Sequence, residues 1–431
     1  MTAEQARQSG PVEPAEPVAR TPERRTELDA LRALVVVGLV FFHSALVFDS
    51  RDDFYVKNEQ TTEATMIGAG LGVVWAMPML FLAAGLGTWY SLRRRGAAGF
   101  VRERLLRLAV PLVFAELTLL PLPQWLRERA ADPGYRESYA DFLPRYYDVR
   151  FEPEEFPFVV QGEVFETGHL WFVVLLLAFS LMLVPFVSLL RGLPGGRARG
   201  ARAARERLGS LVARRRGAVV LLPALPLAVV SPLLGLEEDY GGWHRWAYLL
   251  FFLYGFALAA DRRLREAMRR DAGLAAVFGL VLFVAALPGF MTADDPFVDM
   301  TPVALACRTV YGAAGWCWLV AILGLLDRRA VRKAAAPGTR AANGRAGRFY
   351  AYLGPAVLPL YVLHQPIVVA VAYGVVGWET PMPVKYLAIV ALSLAGTFAA
   401  YELLVRRTPV TRFLFGMRAP APPRARGRLS G

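Results

Sequence analysis

The amino-acid sequence predicts an all-α polytopic integral membrane protein of about ten transmembrane helices, with both termini in the cytoplasm. Three observations lead there: an excess of apolar residues, apolar runs of bilayer length, and a lopsided distribution of arginine. Hydrophobic residues make up 55% of the 431 positions, and the mean hydropathy is +0.37. Soluble domains average about 45–50% even with glycine counted as apolar, and glycine is not part of the 55% here.

Run length sharpens the prediction. About 20 residues at ~1.5 Å rise cover the ~30 Å hydrocarbon core of a bilayer. Leu170–Leu190, Ala218–Leu234, Leu274–Phe290 and Phe349–Val376 are near or above that length, and Ala33–Phe48 is a shorter run of the same kind. Extended to the weaker segments, the pattern predicts spans near 33–50, 68–91, 105–122, 169–190, 217–235, 243–260, 272–290, 303–326, 349–376 and 383–405.

Charge orients these spans, because cytoplasmic loops are enriched in Lys and Arg. In a ten-helix reading, 39 of the 49 basic residues fall on one side, in 1–32, 91–107, 191–216, 261–271, 327–348 and 406–431. The opposite side carries acidic clusters: Asp52 and Asp53; Glu152, Glu154 and Glu155; Glu237, Glu238 and Asp239; Asp294 and Asp295. One missed helix would invert the split downstream of it. The net charge of +13 therefore reflects topology rather than a nucleic-acid partner. The ends, 1–25 and 419–431, read as disordered cytoplasmic tails around a membrane domain at 26–418. No signal peptide is expected, since the first 31 residues are polar and mixed in charge. Cys307 and Cys317 are ten residues apart in one apolar segment. That is ~15 Å of helix, too far for a disulfide, and the spacing fits no metal site. They read as small core residues.

Two connections stand out. The stretch 123–167 is long and aromatic, with Trp125, Tyr135, Tyr139, Tyr146, Tyr147, Phe151, Phe156 and Phe158, which predicts an ordered outer cap. The Arg-, Ala- and Gly-rich 191–216 stretch reads as a mobile, solvated basic loop.

The chain has four histidines, His43, His169, His244 and His364, all in or at the edge of predicted spans. Ionisable groups there are rare and usually functional. Arg32 and His43 are 11 residues apart, about 1100° of helix, only ~20° beyond three turns and ~16 Å along the axis. Both lie on one face, Arg32 at the cytoplasmic mouth and His43 near mid-membrane. Asp29 is placed to pair with Arg32. Such a face suits a substrate with an anionic end in the cytoplasm and a reactive end inside the protein. On spacing alone, a snorkelling arginine above a buried histidine that merely bonds a neighbouring helix is the more ordinary reading. His364 is expected at a depth similar to His43, in a helix broken by Pro355, Pro359 and Pro366. His169 and His244 fall at outer helix ends, where they can line a pocket with Trp171, Glu163 and Glu166. Glu116 and Arg308, both in apolar segments of the outer half, are expected to pair with each other.

From Arg32 to His43 the chain resembles the membrane acyltransferase 3 family, which includes sugar and lipopolysaccharide O-acetyltransferases and glucan biosynthesis protein C. Leu28-Asp29-Ala30-Leu31-Arg32 running to His43 looks like that family's arginine, ten residues, histidine signature. Further pieces follow in order: Phe81-Leu82-Ala83-Ala84-Gly85; Ser91-Leu92-Arg93-Arg94-Arg95, then Arg104-Leu105-Leu106-Arg107-Leu108 and Pro111; Gly168-His169-Leu170-Trp171-Phe172; and Tyr361-Val362-Leu363-His364-Gln365-Pro366. The end, Tyr401-Glu402-Leu403 to Arg412-Phe413-Leu414-Phe415-Gly416, resembles the glucan biosynthesis protein C branch.

The resemblance implies a cell-membrane enzyme that moves an acyl group, acetyl or succinyl, from acyl-CoA to a hydroxyl of a carbohydrate or glycosylated small molecule. It implies His43 as catalytic residue, either a base or an acyl carrier. Arg32, Arg93, Arg94, Arg95, Arg104 and Arg107 would hold the coenzyme A phosphates, with ordinary positive-inside bias as the alternative. His169, Trp171 and His364 would contact the acceptor, with no metal involved. A G-x-S-x-G serine elbow is absent from the sequence. The rival class is a proton-coupled transporter or flippase using His43 and His364. Such proteins often show inverted repeats, and none is visible.

Overall fold

A computed structural model of the chain describes residues 26–63, 70–191, 194–237, 240–293, 295–335 and 345–417. The expected tails at 1–25 and 419–431 lie outside the described residues. Helix dominates: α1 (Thr26–Leu46), α2 (Ala76–Arg104), a π-helical turn (Leu105–Ala109), α3 (Val110–Thr118), α4 (Pro121–Ala131) and α5 (Tyr139–Tyr146) come first. A short antiparallel hairpin follows, β1 (Val149–Phe151) with β2 (Val160–Gly162), in the register Arg150 opposite Gln161. Then come α6 (Trp171–Arg191), α7 (Gly195–Arg214), α8 (Ala218–Leu234), α9 (Arg245–Ala260), α10 (Arg262–Thr292), α11 (Pro302–Ala335), α12 (Arg345–Val375), α13 (Met382–Ala400) and α14 (Pro409–Leu414).

Among the described residues, seven helical stretches are long and apolar enough to cross a membrane, or eight if the bent α7–α8 pair is one span. The protein is an all-α, multi-pass membrane protein. One of the seven, Gly70–Ala131, is 62 residues long and contains two predicted segments. It folds back on itself. Gly96 has φ +70° and ψ −179° inside α2, a conformation that glycine adopts readily and other residues rarely do. Thr88 and Arg104 would be ~24 Å apart on a straight helix, yet Arg104 Nη2 donates to Thr88 Oγ1 at 3.0 Å. The ten predicted segments all fall on helices. The ten-span reading needs this hairpin, the bent pair and the short, 16-residue α9.

Backbone proximity sets the packing. A Cβ on Gly85 would lie 1.9 Å from the Phe252 carbonyl oxygen, and one on Gly255 would lie 1.9 Å from that of Leu82. Helices α2 and α9 therefore cross at two reciprocal glycines, the small-residue contact that apolar side chains cannot supply in lipid. Helices α10 and α11 form a long hairpin in which both cysteines are buried, and Cys307 Sγ donates to the Ala286 carbonyl at 3.3 Å.

Three expectations change. The 191–216 stretch contains a twenty-residue helix, α7, because Ala and Arg are among the best helix formers. The three prolines do not break α12, which runs unbroken from Arg345 to Val375. Finally, Glu116 and Arg308 do not pair. Arg308 is wholly buried and donates to the carbonyls of Pro296 at 3.1 Å, Pro232 at 3.3 Å and Asp299 at 2.5 Å. Pro232 lies in the last turn of α8, where carbonyls lack helical partners and a cation is favoured. Glu116 instead accepts from the Tyr146 hydroxyl at 3.3 Å.

The 123–167 region is folded. Phe142 and Tyr146 of α5 are fully buried, and Tyr146 packs against Phe165 and Tyr147. Arg127 of α4 ties this region to the loop after α1 through Asp53 at 3.1 Å and to Glu166 at 2.9 Å.

Candidate active site

Three histidines from three distant parts of the chain meet in one cluster. α1 supplies His43, α12 supplies His364, and the single 3-10 turn Gly168–Leu170 ahead of α6 supplies His169. The rings of His43 and His364 have centroids 5.2 Å apart, and those of His169 and His364 are 4.9 Å apart, edge to face. His364 sits in the middle, fully buried, while His169 is buried and His43 half-buried. Phe54, in the loop after α1, stacks on His43 at 5.8 Å.

The hydrogen bonds define what each ring can do. His364 Nδ1 lies 2.6 Å from the Tyr361 carbonyl, and His169 Nε2 lies 3.2 Å from the Val362 carbonyl. A carbonyl only accepts, so these two nitrogens carry protons and, in the neutral rings, His364 Nε2 and His169 Nδ1 carry lone pairs. Both of those nitrogens, and His43 Nδ1, are buried without a hydrogen-bond partner among the described residues. A buried polar atom left unpaired costs about 1–3 kcal/mol. Such cost is a mark of a site shaped for something other than stability.

Proline chemistry explains how His169 is held. Pro366 has no N–H, so the carbonyl four residues earlier, that of Val362, receives no helical bond. His169 Nε2 donates to that carbonyl. Around it, the Tyr361 hydroxyl donates to the His169 carbonyl, and Gln365 Oε1 accepts from the His169 N–H at 3.0 Å. One turn of α12 thus clamps both polar groups of the His169 peptide and one of its ring nitrogens. Sequence reasoning assigned no role to Tyr361, Gln365 or Phe54. The signal for the first two was the Tyr361–Gln365 spacing, which puts them one turn apart on one face.

Arg32, on the same helix as His43, donates to the Ala83 carbonyl of α2 and pairs with Asp29 at 3.6 Å. Of the other arginines, Arg95 and Arg107 share Glu103, at 3.6 and 3.4 Å, and Arg107 Nε donates to the Gly416 carbonyl at 3.2 Å. Arg104 stacks on Phe100 at 4.9 Å. Arg93 lies over Trp89 at 5.3 Å, and Arg93 and Arg94 are exposed. The fold therefore gathers Arg95 and Arg107 around one carboxylate, ties Arg104 to Thr88 and Phe100, and leaves Arg93 and Arg94 exposed.

The remaining expected residues divide. Trp171 is buried among Phe81, Tyr240 and Tyr248. His244 caps α9, its Nδ1 accepting from the Trp246 N–H at 3.2 Å. Glu163 is exposed, and Glu166 is held by Arg127. No group of three or more His, Cys, Asp or Glu among the described residues has the arrangement to hold a metal ion.

The fold and site define a bundle of membrane helices with buried imidazoles from three elements and arginines near the foot of α1. Residues 25–402 match the family model described as the acyltransferase domain of acyltransferase 3 type. The match covers most of the chain, which therefore belongs to that family and is an acyltransferase transferring groups other than amino-acyl groups. No curated protein matches the chain, and no solved structure does.

Proposed function

We propose that this acyltransferase takes an acetyl or succinyl group from acyl-CoA on the cytoplasmic side of the cell membrane and delivers it to a hydroxyl of a carbohydrate or glycosylated small molecule. The observation that carries the reading is the His43–His364–His169 cluster. It holds three unpaired ring nitrogens, and its His43 lies on the helix whose other end carries Arg32.

Arg32, with the arginines around Glu103, takes the phosphates of coenzyme A. His43 then acts in one of two ways. As a base, it removes the proton of the acceptor hydroxyl while that oxygen attacks the thioester carbonyl. The new C–O bond forms, the C–S bond breaks, and the proton passes to the departing thiolate. As a carrier, the ring nitrogen attacks first: a C–N bond forms, the C–S bond breaks and the thiolate leaves. The hydroxyl oxygen then takes the acyl group as the C–N bond breaks, and its proton ends on the thiolate. In both, His364 and His169 provide a continuous run of imidazoles from His43 toward the outer end of α6, the side expected for the acceptor.

The test is His43→Ala, with mass spectrometry of surface glycans and secreted metabolites from cells carrying either version. The wild type adds an acyl mass that the variant lacks at equal expression. Unchanged acylation by the variant removes His43 from the mechanism.

A further inference from the structure

Helix α7 contributes none of the residues described at the histidine cluster, and it carries Arg197, Arg199, Arg202, Arg205, Arg207 and Arg214. Its lone acid, Glu206, is paired with Arg263 at 2.9 Å. One side of the helix is docked. Arg205 donates to the Ala260 carbonyl at 2.6 Å, Val212 is buried, and Arg270 closes the end of the helix on the carbonyls of Val212, Ala213 and Arg215.

The other side has no such partner among the described residues. Leu208 and Leu211 are 52% and 44% exposed. At 100° per residue, Arg207 and Arg214 fall within ~20° of each other and form a row beside the two leucines. Arg207, Leu208, Ser210, Leu211, Arg214 and Arg215 line one open depression. The α7–α8 pair is bent by 119°, so α7 does not continue the path of α8. A second basic depression, with Arg269, Arg270, Arg328 and Arg332, opens between the ends of α10 and α11. An exposed apolar pair flanked by arginines suits an amphiphile with an anionic head better than a wholly soluble anion. The basic side of the protein is also the side expected to face an anionic leaflet.

We propose that α7 binds the anionic lipid of the cytoplasmic leaflet, with headgroup phosphates on Arg207, Arg214 and Arg215 and the side chains of Leu208 and Leu211 in the acyl region.

Amide hydrogen exchange on the full chain tests this, in nanodiscs of phosphatidylcholine alone and of phosphatidylcholine with phosphatidylglycerol at 3:1. Peptides covering 199–214 are expected to exchange at least threefold more slowly with phosphatidylglycerol. The gap closes in Arg207→Gln with Arg214→Gln and in Leu208→Ser with Leu211→Ser, while exchange in α10 and α11 reports that the fold is intact. Equal exchange in the two discs overturns the proposal. So does slowing by inorganic phosphate in phosphatidylcholine discs, which marks a free-anion site. Slowing that requires added soluble cell protein overturns it as well, and marks a protein partner.

Discussion

Arg308 and the histidine cluster are both polar groups buried inside a membrane protein, and they are built in opposite ways. Arg308 spends both terminal nitrogens of its guanidinium on three carbonyls, from the last turn of α8 and from the α10–α11 connection, and only its Nε is without a partner among the described residues. The histidines keep three ring nitrogens unpaired within 5.2 Å centroid spacings. A buried ionisable group is expensive in either case. Where several backbone carbonyls answer it, as they do for Arg308, the group holds elements together. Where the surroundings leave lone pairs in place, the group is available for chemistry. Burial alone does not separate the two cases; the three carbonyls on Arg308, against three neighbouring unpaired imidazole nitrogens, do.

The largest effect expected from this contrast is on catalysis. His364→Phe keeps a ring in the centre of the cluster and removes both nitrogens. Acyl transfer per folded molecule is expected to fall about 10²–10⁴-fold, the range for losing a proton-transfer group, with Tm close to wild type. A loss under threefold removes His364 from the proton path and makes it a packing residue.

Arg308→Met should do the reverse. Three carbonyls lose their donor, at about 1–3 kcal/mol for each group left unsatisfied, so Tm and folded yield in detergent fall while transfer per folded molecule holds. Because Glu116 bonds to Tyr146 and not to Arg308, Glu116→Gln combined with Arg308→Met should add to within ~0.5 kcal/mol, as independent sites do. A larger coupling restores the pair that sequence position suggested.

A subtler change probes the clamp. Pro366→Ala returns an N–H to α12 that competes with His169 Nε2 for the Val362 carbonyl. Losing one net hydrogen bond of about 1 kcal/mol predicts a roughly fivefold lower turnover, with Tm unchanged or raised. Equal turnover shows that Tyr361 and Gln365 hold His169 without that bond.

The same contrast marks how far the sequence could be read. Helix positions follow from run length, because each span must satisfy its backbone internally. Arg32 and His43 shared a face because eleven residues nearly complete three turns. The meeting of His43 with His364 and His169 was not legible, since it depends on which helices become neighbours, and nothing in one chain's periodicity states that. Gly85 and Gly255 decide such a contact between α2 and α9, but only as a pair. Arg308 and Glu116 shared a depth and opposite charge, which suggested a pair. Two of the three carbonyls that hold Arg308 come from irregular backbone with no sequence signature, and the third from a helix end. Helix α7 was hidden by its charge, although its Ala and Arg content favours helix.

The smallest expected effect lies where the basic side is stapled together. Asp261 caps α10, its Oδ1 accepting from the Arg263 N–H at 2.9 Å, and it pairs with the Arg263 guanidinium at 2.8 Å. That hydrogen-bonded guanidinium holds the Asp261 carboxyl below the usual carboxylate range. Asp261→Ala should cost about 1 kcal/mol, the worth of an N-cap. The sign of the pH dependence follows from the direction of the shift. The folded state binds the proton more weakly than the unfolded state, so the stabilisation is complete above the unfolded value of ~3.9 and fades as pH falls through the folded one. The Tm gap between wild type and variant should therefore be full at pH 6 and shrink toward pH 3. Unlike the His364 variant, Asp261→Ala should leave acyl transfer per folded molecule intact. A gap that stays constant with pH would mean that Asp261 acts through packing, not through its charge.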